Sequence, residues 1–373
     1  MKNYLENYKT NLIEGKIDSG KTTGIIFKEV NQLIKNDENL LFLDLKQEYY
    51  KQYINQLQEK GYEIITINLS DPTKSNNYNP FTLPYYYYKN NNIDKCFELI
   101  EKISYRIFTE EDEKNNIDPF WTNTSADLFT GMSLLTIKEA KEAEVNLGSI
   151  STVMDLTTKK DQDSNLITMY LNKLEPTDPI YLSASSTVYA PRDTKESILS
   201  VARQKIKNYC LRTDLLALIS KTNFDLLNIG QKKTAIFIIL KDDNKNINNF
   251  ANIFIEQVYH LVKENNLSFN FILDNIDFIN QLNCLYNMLN LPLNNVKIIV
   301  ATRNLSELKA NYPIGTFSNV INKITVENNQ VLHNDSKEPL ELVKIAKTSV
   351  TYPKTDLNPE FFKAEEYLTK LLK

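Results

Sequence analysis

The sequence of 373 residues has little of the residue types that build several common kinds of site. Its three cysteines, Cys96, Cys210 and Cys284, lie far apart and form no CxxC pair, which excludes a disulfide scaffold and a zinc ribbon. Its two histidines, His260 and His333, argue against a histidine-built metal site and against a Ser-His-Asp triad. This cysteine usage is typical of a reducing compartment, so we expect a cytoplasmic location.

Long apolar runs and an excess of positive charge are also missing. The longest apolar stretches are short, such as residues 235–240, whereas a membrane-spanning helix needs about 20 residues. The opening MKNYLENYKT has no apolar signal-peptide core. The net charge of −4 gives no global basic field for nucleic acid or lipid, although a local basic surface or a ring lumen remains compatible with DNA. We therefore expect no transmembrane segment in this chain, and peripheral attachment at the inner face of the membrane stays open.

The hydrophobic pattern that is present predicts an α/β protein. A content of 42% hydrophobic and 24% charged residues is typical of globular chains. Between about residues 90 and 225 the periodicity is almost entirely helical, which predicts an all-α insertion. Elsewhere apolar runs alternate with helical patterns and predict a mainly parallel sheet flanked by helices, with strands at residues 11–13, 40–44, 64–69, 234–240, 269–274, 296–301 and 317–326.

The segment GKIDSGKT, residues 15–22, fits the phosphate-loop pattern GxxxxGK[ST]. Glycines permit the backbone turns that aim amide groups at phosphate oxygens, and the following helix directs its positive end to the same place. Lys21 is expected to reach the β- and γ-phosphates of ATP, and the Thr22 hydroxyl to bind Mg²⁺. The candidate nucleotide-binding residues are Gly15, Asp18, Ser19, Gly20, Lys21, Thr22 and Thr23.

A second acidic residue is needed to hold Mg²⁺ through water, and FNFILD, residues 269–274, is the best candidate because apolar residues lead to an acid. We predict that Asp274 joins Thr22 in the metal shell and Lys21 in the catalytic set. ATPases with this loop usually place glutamate next, to activate the attacking water, but here Asn275 follows and cannot accept a proton. Asp277 can substitute only if its loop turns it inward, so ATP binding is better supported than hydrolysis.

Four divisions of the chain follow from these patterns. Residues 1–89 and 226–347 are predicted to form the two parts of one nucleotide-binding domain. Residues 90–225 are predicted to form the all-α insertion domain, and residues 348–373 a polar C-terminal tail.

Several further segments resemble the type IV coupling proteins, the TraG/TraD-like ATPases of conjugation and type IV secretion. LFLDLKQEYY, residues 41–50, is similar to that family's D-x-K-x-E segment, and SNNYNP, residues 75–80, to its S-x-x-Y-N-P segment. DPFWTNTSADLFTG, residues 118–131, resembles the helix that begins the family's all-helical domain. Residues 197–206 and 224–240 resemble its later helix and its returning strand.

The resemblance implies a RecA-like P-loop NTPase domain with an inserted all-α domain. It also implies hexameric rings, a DNA channel, and ATP-driven delivery of relaxase-bound single strands to the components of a type IV secretion apparatus. The chain departs from the family at Asn275, at Arg303 where a glutamine is usual, and in lacking room for membrane helices before Gly15. Arg303 is then either a contact to the γ-phosphate or a neighbouring subunit, or a surface ion pair.

Two rivals to the motor remain open. One is a nucleotide-binding adaptor that docks substrates to a secretion machine with little or no hydrolysis, which Asn275 and the acidic pI of about 5.5 favour. The other is a different RecA-like motor, such as a packaging or chromosome-translocating ATPase.

Overall fold

The computed structural model describes residues 2–108, 118–161, 164–242, 244–327, 330–333, 336–345 and 349–372. The chain divides into two compact units. The first, the sheet unit, comprises Met1–Asn76 and Phe224–Lys354. The second, the helical unit, comprises Asn77–Asn223 and Thr355–Lys373.

A nine-stranded sheet forms the centre of the sheet unit. Its strands, numbered in chain order, are β1 (Thr10–Gly15), β2 (Leu40–Asp44), β3 (Glu63–Asn68), β4 (Thr234–Ile239), β5 (Phe269–Leu273), β6 (Val296–Thr302), β7 (Asn322–Glu327), β8 (Gln330–His333) and β9 (Ser336–Pro339). Their order across the sheet is β9-β8-β7-β1-β6-β5-β2-β4-β3. Strands β1 to β7 run parallel, and β8 and β9 add an antiparallel hairpin at one edge.

Helices cover the sheet because its central strands are apolar on both sides. Every residue of β2 and of β4 is buried, as expected for parallel strands enclosed by helices. The register sets Leu41 opposite Ile236 on one side and Phe271 on the other. The helical segments of this unit are a π-helical turn Lys21–Ile26, the α-helices Phe27–Lys35, Glu48–Glu59, Lys245–Glu264, Leu285–Asn290 and Leu305–Ala310, and a 3₁₀ turn Ile276–Phe278.

The helical unit has α-helices as its main elements. Its longest helix begins where Asp118 accepts a hydrogen bond from the backbone N–H of Phe120 at 3.0 Å, with Pro119 in the first turn. One two-residue ladder pairs Lys160–Asp161 with Ser164–Asn165. None of the helices in the described ranges carries an apolar stretch long enough to cross a lipid bilayer. The helices are Thr82–Lys89, Ile93–Phe108, Pro119–Glu139, Leu147–Asp155, Leu166–Leu171, Pro179–Val188, Arg192–Cys210, Thr213–Leu218 and Ala364–Leu372, with a 3₁₀ turn Glu142–Glu144.

The unit boundaries differ from those expected at 89/90 and 225/226. The first division falls after Asn76, because Asn79 holds the next segment within the helical unit: its amide donates to the carbonyl of Val145 at 2.6 Å. The tyrosine-rich segment that follows forms the helix Thr82–Lys89 of the same unit. The second division falls after Asn223, two residues earlier than expected.

The C-terminal residues do not form a separate tail. Residues 355–372 pack within the helical unit, where Asn146 donates to the carbonyl of Glu360 at 2.6 Å and the N–H of Phe362 donates to Ser149 at 2.9 Å. The expected tail boundary at 347/348 lies outside the described residues. Polar composition suggested a tail, but side-chain amides in the helical unit satisfy the backbone of this extended segment.

The sheet edge also differs from the prediction. The last parallel strand begins at Asn322 rather than at Phe317. The hairpin of β8 and β9 was not predicted, because its short strands are half-exposed and polar and carry no buried-strand pattern.

Candidate nucleotide-binding site

The phosphate-loop sequence forms a tight turn between β1 and the helix that follows it. Asp18 and Gly20 both adopt left-handed backbone conformations, with φ of 59° and 91°. Gly15 ends β1 where there is no room for a side chain, because a Cβ there would lie 2.5 Å from Ser19 Oγ and 3.0 Å from the Val326 carbonyl oxygen. The path of the chain therefore favours glycine at position 15, for lack of space, and at position 20, for its positive φ.

Two polar groups of this loop are buried without partners. The Lys21 side chain is only 4% exposed, and across the described ranges its ammonium has no hydrogen bond or ion pair. Ser19 Oγ is likewise buried without a hydrogen-bond partner among the described residues. A positive charge without a partner at the edge of a cavity attracts an anion to this loop. Both groups fit a phosphate.

Asp274 follows β5 directly and lies fully buried beside the first turn of this helix. Its Oδ2 atom accepts hydrogen bonds from Thr22 Oγ1 at 2.6 Å and from the Tyr49 hydroxyl at 2.9 Å. Its Oδ1 atom is buried with no partner in the described part of the chain. A carboxylate with one unoccupied oxygen beside a threonine hydroxyl is the oxygen-rich environment that suits hydrated Mg²⁺. The structure thus brings together Thr22 and Asp274, the two predicted metal-shell residues.

A second buried carboxylate, Asp44, lies at the end of β2. Its two oxygens accept the backbone N–H groups of Glu48 and Tyr50, each at 2.9 Å, and so fix the start of the helix Glu48–Glu59. Burial raises the pKa of the Asp44 carboxyl to about 7, against the lowering effect of these two hydrogen bonds. Its role is to hold this turn, while Lys46 on the same turn forms an ion pair with Asp18 at 3.0 Å.

Two polar residues that follow Asp274, Asn275 and Asp277, have different surroundings. Asn275 adopts a left-handed conformation, with φ of 57° and ψ of 42°, and lines the cavity at the phosphate loop. Asp277 accepts hydrogen bonds from Thr302 Oγ1 at 2.6 Å and from the Arg303 N–H at 2.8 Å. The loop does not turn Asp277 toward the phosphate position, so it does not replace the absent glutamate.

Arg303 forms a surface ion pair, one of the two roles considered for it. Its Nε lies 3.6 Å from Asp277 Oδ2, and its guanidinium lies 4.6 Å from the centre of the Phe278 ring. It also lines a cavity on the far side of the phosphate loop from Asn275.

Two cavities adjoin at the loop and share residues 17–19. The smaller has about 230 Å³ and is lined by the loop, the turn after β2, Asn275, Leu342 and Ile345. The larger has about 710 Å³ and lies at the carboxyl ends of β1, β6 and β7. Ligands of open parallel sheets bind at this edge of the strands, so the position is the expected one.

The sequence analysis missed two contributors to the site. Tyr49 carries no motif of its own, and only its position beside a charged strand end hints at a role. The connector 340–345, which follows β9, reaches the first turn of the phosphate-loop helix, where the Val343 N–H donates to the Thr23 carbonyl at 3.0 Å. A Cβ on Gly24 would lie 2.4 Å from the Leu340 side chain, which shows how closely the connector approaches.

Solved structures share this fold. A bacterial conjugative coupling protein, TrwBdeltaN70 in its unbound form, matches with a TM-score of 0.62 and 12% identity over 93% of this chain and 88% of its own. Plasmid coupling protein TrwB in complex with ADP and Mg²⁺ matches with a TM-score of 0.63 and 11% identity, over 93% and 88% of the two chains. Its complex with the ATP analogue ADPNP gives 0.62 and 11%, over 93% and 89%. At this identity the likeness shows the fold, a RecA-like sheet with an all-α insertion.

The sequence itself gives a second, independent comparison. No curated protein matches the chain. The profile of the family described as type IV secretory system conjugative DNA transfer matches residues 11–279, which include the phosphate loop, Asp274 and the whole stretch 77–223 of the helical unit. The chain therefore belongs to the type IV secretory system family of conjugative DNA transfer.

Proposed function

We propose that this chain is the MgATP-driven motor subunit of a coupling protein that delivers DNA, or a DNA–protein substrate, to a type IV secretion apparatus. Family membership supports the transfer role. Two observations together carry the nucleotide role. Lys21 is a buried residue whose ammonium has no partner in the described part of the chain, and Asp274 Oδ1 has none there either.

The residues of the site divide the work of holding MgATP. Backbone groups of the loop and Lys21 hold the phosphates, while Thr22 and Asp274 hold Mg²⁺, directly or through water. The ion, when bound, neutralises charge that develops on the transferred phosphoryl group. Two of the TrwB structures that share this fold contain ADPNP, or ADP with Mg²⁺, which supports ATP and Mg²⁺ as ligands of this chain.

The partners follow from the family rather than from any bound molecule. We expect single-stranded DNA, with or without an attached relaxase, and components of the secretion apparatus. We also expect assembly into a homo-oligomeric, hexameric ring, because motors of this fold act between neighbouring subunits. Light scattering of the purified chain with MgATP and single-stranded DNA measures the subunit number.

A second candidate function is a nucleotide-binding adaptor with little or no hydrolysis. Asn275 favours it, because this residue lines the phosphate cavity where related ATPases place a proton-accepting glutamate. The adaptor shares the MgATP site with the motor but not the turnover.

Steady-state ATP hydrolysis, measured with and without single-stranded DNA, separates the two. The motor predicts turnover that DNA stimulates and that Lys21→Ala abolishes. The exposed Lys35, at the end of the helix after the phosphate loop, gives the matched control, since Lys35→Ala leaves the site untouched. Tight MgATP binding without turnover would favour the adaptor, and stimulation that survives Lys21→Ala would contradict both.

A further inference from the structure

We propose that Glu48 takes the role of the absent glutamate, accepting a proton from the water that attacks the γ-phosphate. This inference rests on the proposed ATPase function and names the residue that makes hydrolysis possible despite Asn275. To accept this proton a carboxylate must face the phosphate cavity, and Asn275 does not supply one.

Only two carboxylates line the smaller cavity in the described part of the chain, Asp18 and Glu48. Asp18 is occupied by its ion pair with Lys46, and its side chain is 79% exposed to solvent. Glu48 is partly buried, and its carboxylate has no hydrogen-bond or ion-pair partner among the residues described. It is therefore the carboxylate of this cavity that is available to a water molecule.

Neighbouring carboxylates are committed elsewhere. Asp277 is held by Thr302 and by the N–H of Arg303. Glu14 lines the larger cavity and accepts the N–H of Leu305 at 2.8 Å. Asp274 is fully buried behind Thr22, in the position suited to the metal.

The backbone at Glu48 is fixed from both sides. Its own N–H bonds to Asp44, and the next residue, Tyr49, bonds through its hydroxyl to Asp274. Gln47, the residue before Glu48, adopts a left-handed conformation with φ of 59°. Asn275, which lines the same cavity as Glu48, is also left-handed. Backbone strain of this kind persists only where the surroundings fix it, and it clusters at functional sites. The backbone of Glu48 is thus fixed on the same turn as Tyr49, which contacts the metal-site carboxylate.

The electrostatic surroundings suit a proton acceptor. Burial raises the pKa of the Glu48 carboxyl, while Lys46 and Lys21 oppose that shift. A carboxylate with a raised pKa is a stronger base than a fully solvated one.

The step balances without any further reactant. The water oxygen forms a bond to the γ-phosphorus as the bond from that phosphorus to the β–γ bridging oxygen breaks. The electron pair of the broken bond remains on ADP, and the water proton passes to the Glu48 carboxylate. ADP and inorganic phosphate leave, and the proton returns to solvent.

The test measures the ATPase rate constant and MgATPγS affinity for Glu48→Gln, Asn275→Glu and the double variant. We expect Glu48→Gln to lower the rate by about 10²-fold or more with MgATPγS affinity kept. We expect Asn275→Glu in the Glu48→Gln background to restore turnover, because a carboxylate again faces the cavity. A merely structural role of Glu48 would not be rescued from another loop. Glu59→Gln, an exposed carboxylate at the far end of the same helix, is the control.

The outcomes separate this inference from the proposed function. If wild type turns over ATP, Lys21→Ala abolishes it and Glu48→Gln does not change it, the role of Glu48 is overturned while the ATPase stands. If Glu48→Gln also loses MgATPγS binding, or if the double variant stays inactive, Glu48 is structural and the inference fails. If wild type shows no turnover with DNA, the inference and the motor fall together.

Discussion

Thr22 Oγ1 lies 2.6 Å from Asp274 Oδ2, joining the end of the phosphate loop to the end of β5 across 252 residues of sequence. The bond leaves Asp274 Oδ1 as the open oxygen of a buried carboxylate. We therefore expect Asp274 to hold Mg²⁺ rather than only to stabilise the sheet.

Asp274→Asn tests this assignment. The amide keeps the shape of the side chain but removes the negative charge, so we expect nucleotide affinity to lose its dependence on Mg²⁺ while binding without the ion persists. Titration of a fluorescent ATP analogue with and without Mg²⁺ measures the difference. Asp193→Asn, at an exposed position of the helical unit, is the control. An unchanged Mg²⁺ dependence in Asp274→Asn would place the ion elsewhere.

Gly15→Ala tests the close packing of the phosphate loop. The new Cβ would meet Ser19 Oγ at 2.5 Å and the Val326 carbonyl at 3.0 Å, and overpacking of this kind costs about 1–3 kcal/mol. We expect nucleotide binding to be lost. Gly61→Ala is the matched control, because its φ of 75° brings strain but no atom of the described residues lies within 4 Å of the added Cβ. Calorimetric titration of both variants gives the comparison, and normal binding by Gly15→Ala would refute the loop geometry.

The backbone conformation at position 275 accounts for the asparagine found there. Its left-handed conformation is tolerated by asparagine and glycine, but costs other residues about 1–2 kcal/mol. We expect Asn275→Glu to lower thermal stability relative to Asn275→Gly, while raising ATP turnover because a second carboxylate then faces the cavity in addition to Glu48. Thermal unfolding and hydrolysis assays measure the two effects. Equal stability of the two variants would show that the left-handed backbone is not retained.

The buried carboxyl of Asp44 is expected to make the free energy of unfolding depend on pH. Its pKa is about 7 in the folded protein and ordinarily 3.8, so between these values the folded chain holds a proton that the unfolded chain has lost. The free energy of unfolding therefore decreases as pH rises from about 4 to about 7, by at most about 1.4 kcal/mol per pH unit from this group. We expect Asp44→Asn to lose this part of the slope in urea unfolding. The same slope in both proteins would mean that Asp44 ionises normally.

Asn79 is expected to stabilise the helical unit. It is buried, donates to the Val145 carbonyl at 2.6 Å and accepts the Phe81 N–H at 3.0 Å. Asn79→Ala leaves both groups without partners and should cost about 2–3 kcal/mol of that unit's stability. Asn90→Ala, which removes one exposed bond to Tyr86, should change it little. Chemical unfolding measures the stability of the two variants. Equal losses would mean that the buried hydrogen bonds of Asn79 do not stabilise the helical unit.

The parallel sheet and the phosphate loop could be predicted from sequence because each has a local signal. Buried strands such as β2 and β4 are continuous apolar runs, and the loop has its glycines and Lys21 at fixed spacing. The pairing of Thr22 with Asp274 was also predictable, since strand ends of one parallel sheet meet at one edge. The family expected from the resemblance is confirmed by the match to residues 11–279.

The remaining features depend on contacts that leave no local pattern. The connector 340–345 approaches the loop through one backbone hydrogen bond, from Val343 to Thr23. The extended segment near Glu360 is fixed by amides such as Asn146, more than 200 residues away in sequence. The role of Tyr49 follows from the bond of its hydroxyl to Asp274, which no sequence motif marks. Such partners are set by tertiary packing and not by periodicity.

Calorimetric titration of MgATPγS into wild type and Lys21→Ala tests the central claim most directly. We expect wild type to bind one nucleotide per chain, with binding lost in Lys21→Ala and kept in Lys35→Ala. No binding by wild type, or equal binding by Lys21→Ala, would contradict the assignment of this loop as the nucleotide site.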